Sequence, residues 1–95
     1  MLLSEGIAIY CENRKADGFA QNTIKNDYHV LTRICDIVGD IELTTITVHH
    51  LDTVLRIEGD RGLAAGTLNM YQSSLSAFSR WCRERGYMDL TQNPV

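Results

Sequence analysis

Leu68, Tyr71, Leu75, Phe78 and Cys82 recur at i, i+3, i+7, i+10 and i+14. That spacing follows the 3.6-residue period of an α-helix and puts all five on one side. The helix should begin near Ala64 to Thr67 and continue to Arg85, with Gly86 as its stop. Its other face carries Asn69, Ser73, Ser76, Arg80 and Arg83, with no carboxylate before Glu84. Arg83 and Arg85 suit the negative end of the helix dipole. Met88 and Leu90 are expected to fold back on the core. Asn93 precedes the only proline, which disfavours helical geometry and marks an exit from the domain.

The rest of the chain supplies what such a helix must pack against. A first helix is expected from an N-cap at Ser4 to about Asp17, with Leu3, Ile7, Tyr10 and Cys11 on its apolar side and Gly18 as its stop. Asn22 or Thr23 is expected to cap a second helix running to Val38, before Gly39. In it Ile24, Tyr28, Leu31, Cys35 and Val38 form an apolar stripe, and Lys25, His29 and Arg33 lie together on the other side. Residues 40–46 read as an extended loop whose Ile41, Leu43 and Ile46 plug the core. Thr47 caps a third helix, about Val48 to Ile57, with Val48, Leu51, Val54 and Leu55 inward, and Glu58 to Gly62 forms a turn. The expectation is a single all-α domain of four helices over residues 1–95.

Ninety-five residues allow one modest core. No apolar run approaches the ~18 residues of a membrane span, and no signal peptide is indicated at Met1. Cys11, Cys35 and Cys82 are isolated and border apolar faces. They read as reduced thiols in a cytoplasmic protein rather than a disulfide or metal framework. His49-His50 cannot easily chelate one ion, since neighbours on a helix point ~100° apart. No paired-carboxylate motif, phosphate loop or nucleophile elbow is present, so neither catalytic residue, metal nor cofactor is expected. The formal net charge is −3, unevenly spread. Residues 36–60 carry six carboxylates against Arg56, a balance of −5, whereas residues 61–85 carry four arginines against Glu84, a balance of +3. Charge distribution sets the field a partner meets.

What remains is surface. Thr23, Lys25, His29 and Arg33 on the second helix, and Asn69, Ser73, Ser76 and Arg80 on the fourth, are polar and non-acidic. Short hydroxyl and amide side chains let a helix approach duplex DNA and hydrogen-bond phosphates or base edges, while Arg or Lys supplies charge. The free amides near Thr23 add phosphate donors. The same residues also suit a plain solvated surface.

The ordered features resemble a family. Thr23-Ile24, Tyr28 and Leu31 are followed by Gly39, then Ile41-x-Leu43-x-x-Ile46-Thr47, then Thr67-Leu68-Asn69-x-Tyr71, Leu75, Phe78 and Trp81. Gly86-Tyr87-Met88 and Asn93-Pro94-Val95 complete the set. The order is similar to that of the N-terminal core-binding domain of tyrosine recombinases, the phage-integrase group, and covers about residues 3–95. The resemblance implies a SAM-like four-helix bundle. With a separate catalytic domain, such a bundle clamps the double-stranded DNA of a recombination site within a synaptic complex of several recombinase protomers. By position it implies DNA contacts from Thr23, Lys25, Thr67, Asn69, Ser73 and Ser76, with Arg80 beside them. The catalytic residues would belong to the other domain, with residues 93–95 at the linker, so no tyrosine here is a nucleophile. Met70 and Ser76 stand where family members often carry a cation, and the acidic balance departs from the family's basic character. The competing expectation is a helical protein-interaction or oligomerisation module.

Overall fold

Residues spaced three and four apart resolve into four α-helices and no β-strand in a computed structural model describing residues 1–95. α1 spans Leu3–Ala16, α2 Gln21–Val38, α3 Val48–Asp60 and α4 Ala65–Glu84, with one 3-10 turn at Leu43–Thr45 between α2 and α3. α2 and α4 each pack on the other three helices. Gly39 and Gly86 close α2 and α4 at φ values of +89° and +77°, a conformation that costs a Cβ-bearing residue energy.

The core is one cluster of 15 apolar residues. Tyr71, Leu75, Phe78 and Cys82 of α4 enter it as the stripe requires, while Leu68 is half-buried at its end. Tyr10 of α1 meets Phe78 and Trp81 edge-on, each with ring centroids 5.3 Å apart, a favoured aromatic geometry. α1 approaches this cluster closely at Gly6. A Cβ there would lie 2.8 Å from Leu43 Cδ1 and 3.3 Å from Phe78 Cζ.

Several local expectations give way to longer-range bonds. Ser4 does not cap α1; the helix already starts at Leu3, and both the Ser4 amide and hydroxyl donate to Asp40, at 2.8 and 2.7 Å. A remote carboxylate therefore serves the exposed amide end of α1, and those two bonds hold the Asp40 carboxyl below its usual pKa. α2 begins at Gln21 behind Ala20, so neither Asn22 nor Thr23 is its cap. Its core face is Val30, Leu31 and Ile34, whereas Ile24, Cys35 and Val38 are half-buried and Tyr28 is 48% exposed. The reason is that the first turns of α2 extend past the core; full burial starts only at Val30. Thr47 precedes α3 as expected, in extended geometry, and its amide donates to His50 Nδ1 at 2.9 Å. Val48 points outward instead of inward.

The loop before α3 acts as a plug: Leu43 and Ile46 are buried and Ile41 half-buried. The segment after α4 returns across it. Met88 and Pro94 are buried, and the Gln92 amide donates to the carbonyls of Leu43 and Ile46 at 2.8 and 2.9 Å. Met88, Gln92 and Pro94 thus hold this segment against the bundle, while Leu90 stays 84% exposed rather than folding back.

The largest departure is at Glu58. α3 continues through it to Asp60, so it is not in a turn, and its side chain is 0% exposed. It lies four residues after Val54 and seven after Leu51, on their face of α3. Its carboxylate accepts from Arg33 of α2, from Arg61 just after α3, and from the Tyr71 hydroxyl of α4 at 2.8 Å. A buried charge needs this degree of pairing. The two arginines hold the Glu58 pKa down to about 2.

Two outcomes follow from these buried groups. A carboxyl with a depressed folded pKa contributes stability that is present above its ordinary value near 4.5 and is lost as pH falls through about 2. Denaturant midpoints should therefore fall across that window, and Glu58→Gln should have a shallower acid limb than wild type. Ser79 is buried with its hydroxyl unpartnered, so Ser79→Ala should stabilise the fold by roughly 0.5–1 kcal/mol in urea unfolding.

Candidate nucleic-acid interface

Asn69, Ser73, Ser76 and Arg80 are separated by four, three and four residues, which holds them within a narrow sector of α4 opposite the buried stripe. All four are exposed, and none makes a side-chain hydrogen bond within the protein. Eleven rises of ~1.5 Å from Asn69 to Arg80 make a strip ~16 Å long. Its donors and acceptors are free for a ligand, and Arg80 is its one cation. Thr67 does not belong to this strip. It lies two residues before Asn69, ~200° round the helix, and is half-buried one turn ahead of Tyr71.

On α2, Lys25 and His29 are exposed and share a side, as their four-residue spacing requires. Asp36, seven residues beyond His29, adds a carboxylate to that side and dilutes its positive charge. Thr23 is exposed but ~200° from Lys25, so it stands apart from the other α2 candidates. It sits in the first turn, where the amides of residues 21–23 lack intrahelical acceptors. Arg33 is not a free surface cation. Its Nη2 lies 2.9 Å from Glu58 Oε1, and that charge-assisted hydrogen bond raises its pKa.

None of the nine sequence candidates bonds to another. The joins between α2 and α4 depend instead on Asp27, Ser74 and Glu58, none of which sequence reasoning singled out. Ser74 donates to Asp27 at 3.1 Å, and Arg33 reaches Tyr71 through Glu58. The sequence did hold a signal for Glu58. Continuing the Leu51–Val54 stripe by four residues lands on it, but the glycines at 59 and 62 suggest an earlier end to α3.

No protein-family model matches this chain, and no curated protein or solved structure matches it either.

A second surface feature lies between α1 and the start of α2. A groove of about 850 Å³ is lined by Cys11, Phe19, Ile24 and Tyr28, with Lys15 and Lys25 at its polar margin. Phe19 carries the Arg14 guanidinium 4.2 Å above its ring, a cation–π contact that holds the ring at the surface. No three His, Cys, Asp or Glu side chains are grouped to hold a metal ion, and no helix is long and apolar enough to cross a membrane.

The three thiols differ in access. Burial pushes Cys82 up to about 12, and burial also raises Cys11 and Cys35. A thiolate is the reactive form. A disulfide-exchange reagent at pH 8 should therefore modify Cys11 and Cys35 slowly, and Cys82 only after denaturant is added.

Proposed function

We propose that this chain is the DNA-binding module of a site-specific tyrosine recombinase, with its four helices in the SAM-like arrangement of the integrase core-binding domain. The observation that carries this reading is the α4 strip. Asn69, Ser73, Ser76 and Arg80 form an exposed, uncommitted and non-acidic helix face on a chain of net charge −3. Small side chains allow close approach to a groove, hydroxyls and the amide serve phosphates or base edges, and Arg80 supplies a charged anchor. Lys25 and His29 offer a second contact from α2. The ordered residues that resemble the core-binding domain add the prior, with strand cleavage and rejoining assigned to a separate catalytic domain.

So few cations neutralise few phosphates, and affinity should be low and fall steeply with salt. In a two-domain clamp, the second binding surface would raise occupancy through effective concentration. A competing reading is a helical interaction module. The groove at Phe19 and Tyr28 favours it, because large apolar side chains exposed together attract a partner.

A low-salt titration with a short duplex of randomised sequence separates these readings. Under the DNA reading, amide shifts cluster at residues 69–80 and 25–29, and Arg80→Gln weakens binding several-fold while reducing the log–log salt slope by about 1. Shifts around Cys11, Phe19 and Tyr28 that depend on protein concentration, without DNA, support the interaction module and count against DNA binding.

A further inference from the structure

The Glu58 cluster leaves a ligand-ready edge on each of its arginines. Arg33 approaches Glu58 Oε1 with Nε at 3.2 Å and Nη2 at 2.9 Å. Arg61 uses the same side of its guanidinium, with Nε 3.2 Å from Oε1 and Nη2 2.8 Å from Oε2. A guanidinium has five N–H donors, and its Nη1/Nη2 edge is a second complete fork for an oxyanion. Neither Nη1 has a protein partner, and the side chains are 38% and 56% exposed. One carboxylate against two cations leaves the cluster positive. Because Glu58 already fixes both guanidinium groups, a ligand would find them with much of their side-chain entropy lost in advance.

We infer that Arg33 and Arg61 form a pre-positioned clamp for a phosphodiester oxyanion, and that Glu58 is its positioning residue. The ligand rests on the DNA-binding reading: the occupant is a backbone phosphate of duplex DNA. Arg61, on the connection into α4, thereby joins Arg33 as a phosphate-binding residue. An acidic side chain would here strengthen the binding of an acidic polymer, because it aims two cations and cancels only one of them.

The test uses the full chain labelled with ¹⁵N, and follows the Arg33 and Arg61 Nε–H signals during separate titrations with pyrophosphate and with a short randomised duplex. Both signals should move with the duplex, and more weakly with pyrophosphate. Glu58→Gln supplies the contrast. It adds one unit of positive charge, so arginines acting only as charges would bind the duplex more tightly. A positioned clamp binds several-fold more weakly. Arg61→Lys keeps the charge and loses the fork; it should weaken duplex binding several-fold with little change in salt slope, and it decides the matter if Glu58→Gln does not fold by circular dichroism. Duplex binding that leaves both Nε–H signals unmoved overturns the clamp and spares the DNA reading. Pyrophosphate shifts without duplex binding overturn the duplex as occupant, and the DNA reading with it. If neither ligand moves the signals, the clamp is overturned.

Discussion

One buried carboxylate joins three of the four helices. Glu58 stands on α3, takes Arg33 from α2 and the Tyr71 hydroxyl from α4, and draws in Arg61 at the start of the connection between α3 and α4. The desolvation penalty of such an ion is several kcal/mol, and attraction to its partners offsets rather than greatly exceeds it. Its larger effect is on which packing is allowed. Apolar faces tolerate sliding by a residue or by part of a turn, whereas five hydrogen bonds to two oxygen atoms do not. The relative placement of α2, α3 and α4 thus depends on Glu58 being ionised and enclosed.

The four helices were legible because each carries its own period. The α4 stripe from Tyr71 to Cys82, the plug residues Leu43 and Ile46, and the glycine stops at 39 and 86 all follow from local spacing or backbone freedom. Asn22 and Thr23 failed as caps because α2 already begins at Gln21; Ser4 failed for a different reason. A capping residue competes with acceptors elsewhere in the chain, and Asp40, 36 residues away, displaces Ser4 from that role. Tyr28 misled because an aromatic ring at the right spacing says nothing about whether another helix extends far enough to cover it. Glu58 was hidden by composition, since a carboxylate beside two glycines and an aspartate looks like a turn.

For the candidate interface, spacing alone was enough to group Asn69, Ser73, Ser76 and Arg80, and to pair Lys25 with His29. It could not separate a free arginine from one engaged by the core. Arg33 has the same helical phase as its α2 neighbours but an ion-paired side chain. Thr23 was grouped with its α2 neighbours by residue type and Thr67 through its place in a family pattern, and helical phase alone sets each off the face it was grouped with. The surface therefore divides into a strip on α4 of small polar groups with a single arginine and a compact cationic cluster anchored from inside. On the DNA-binding reading proposed above, the first would adapt to a polyanion's surface and the second would fix a point on it.

The loop at residues 40–46 has a further consequence for how the chain finds its fold. It receives the Leu3 amide on the Ile41 carbonyl and Ser4 on Asp40, the latter across 36 residues, and it receives Gln92 across 46 and 49. The two flanking segments never need to find each other; each needs only to find the middle. Since closure entropy grows only with the logarithm of loop length, dividing one long closure into two of similar size saves little in either step. What the arrangement changes is order. The helices can form early from local contacts, whereas the bonds that hold the central loop need both flanks in place.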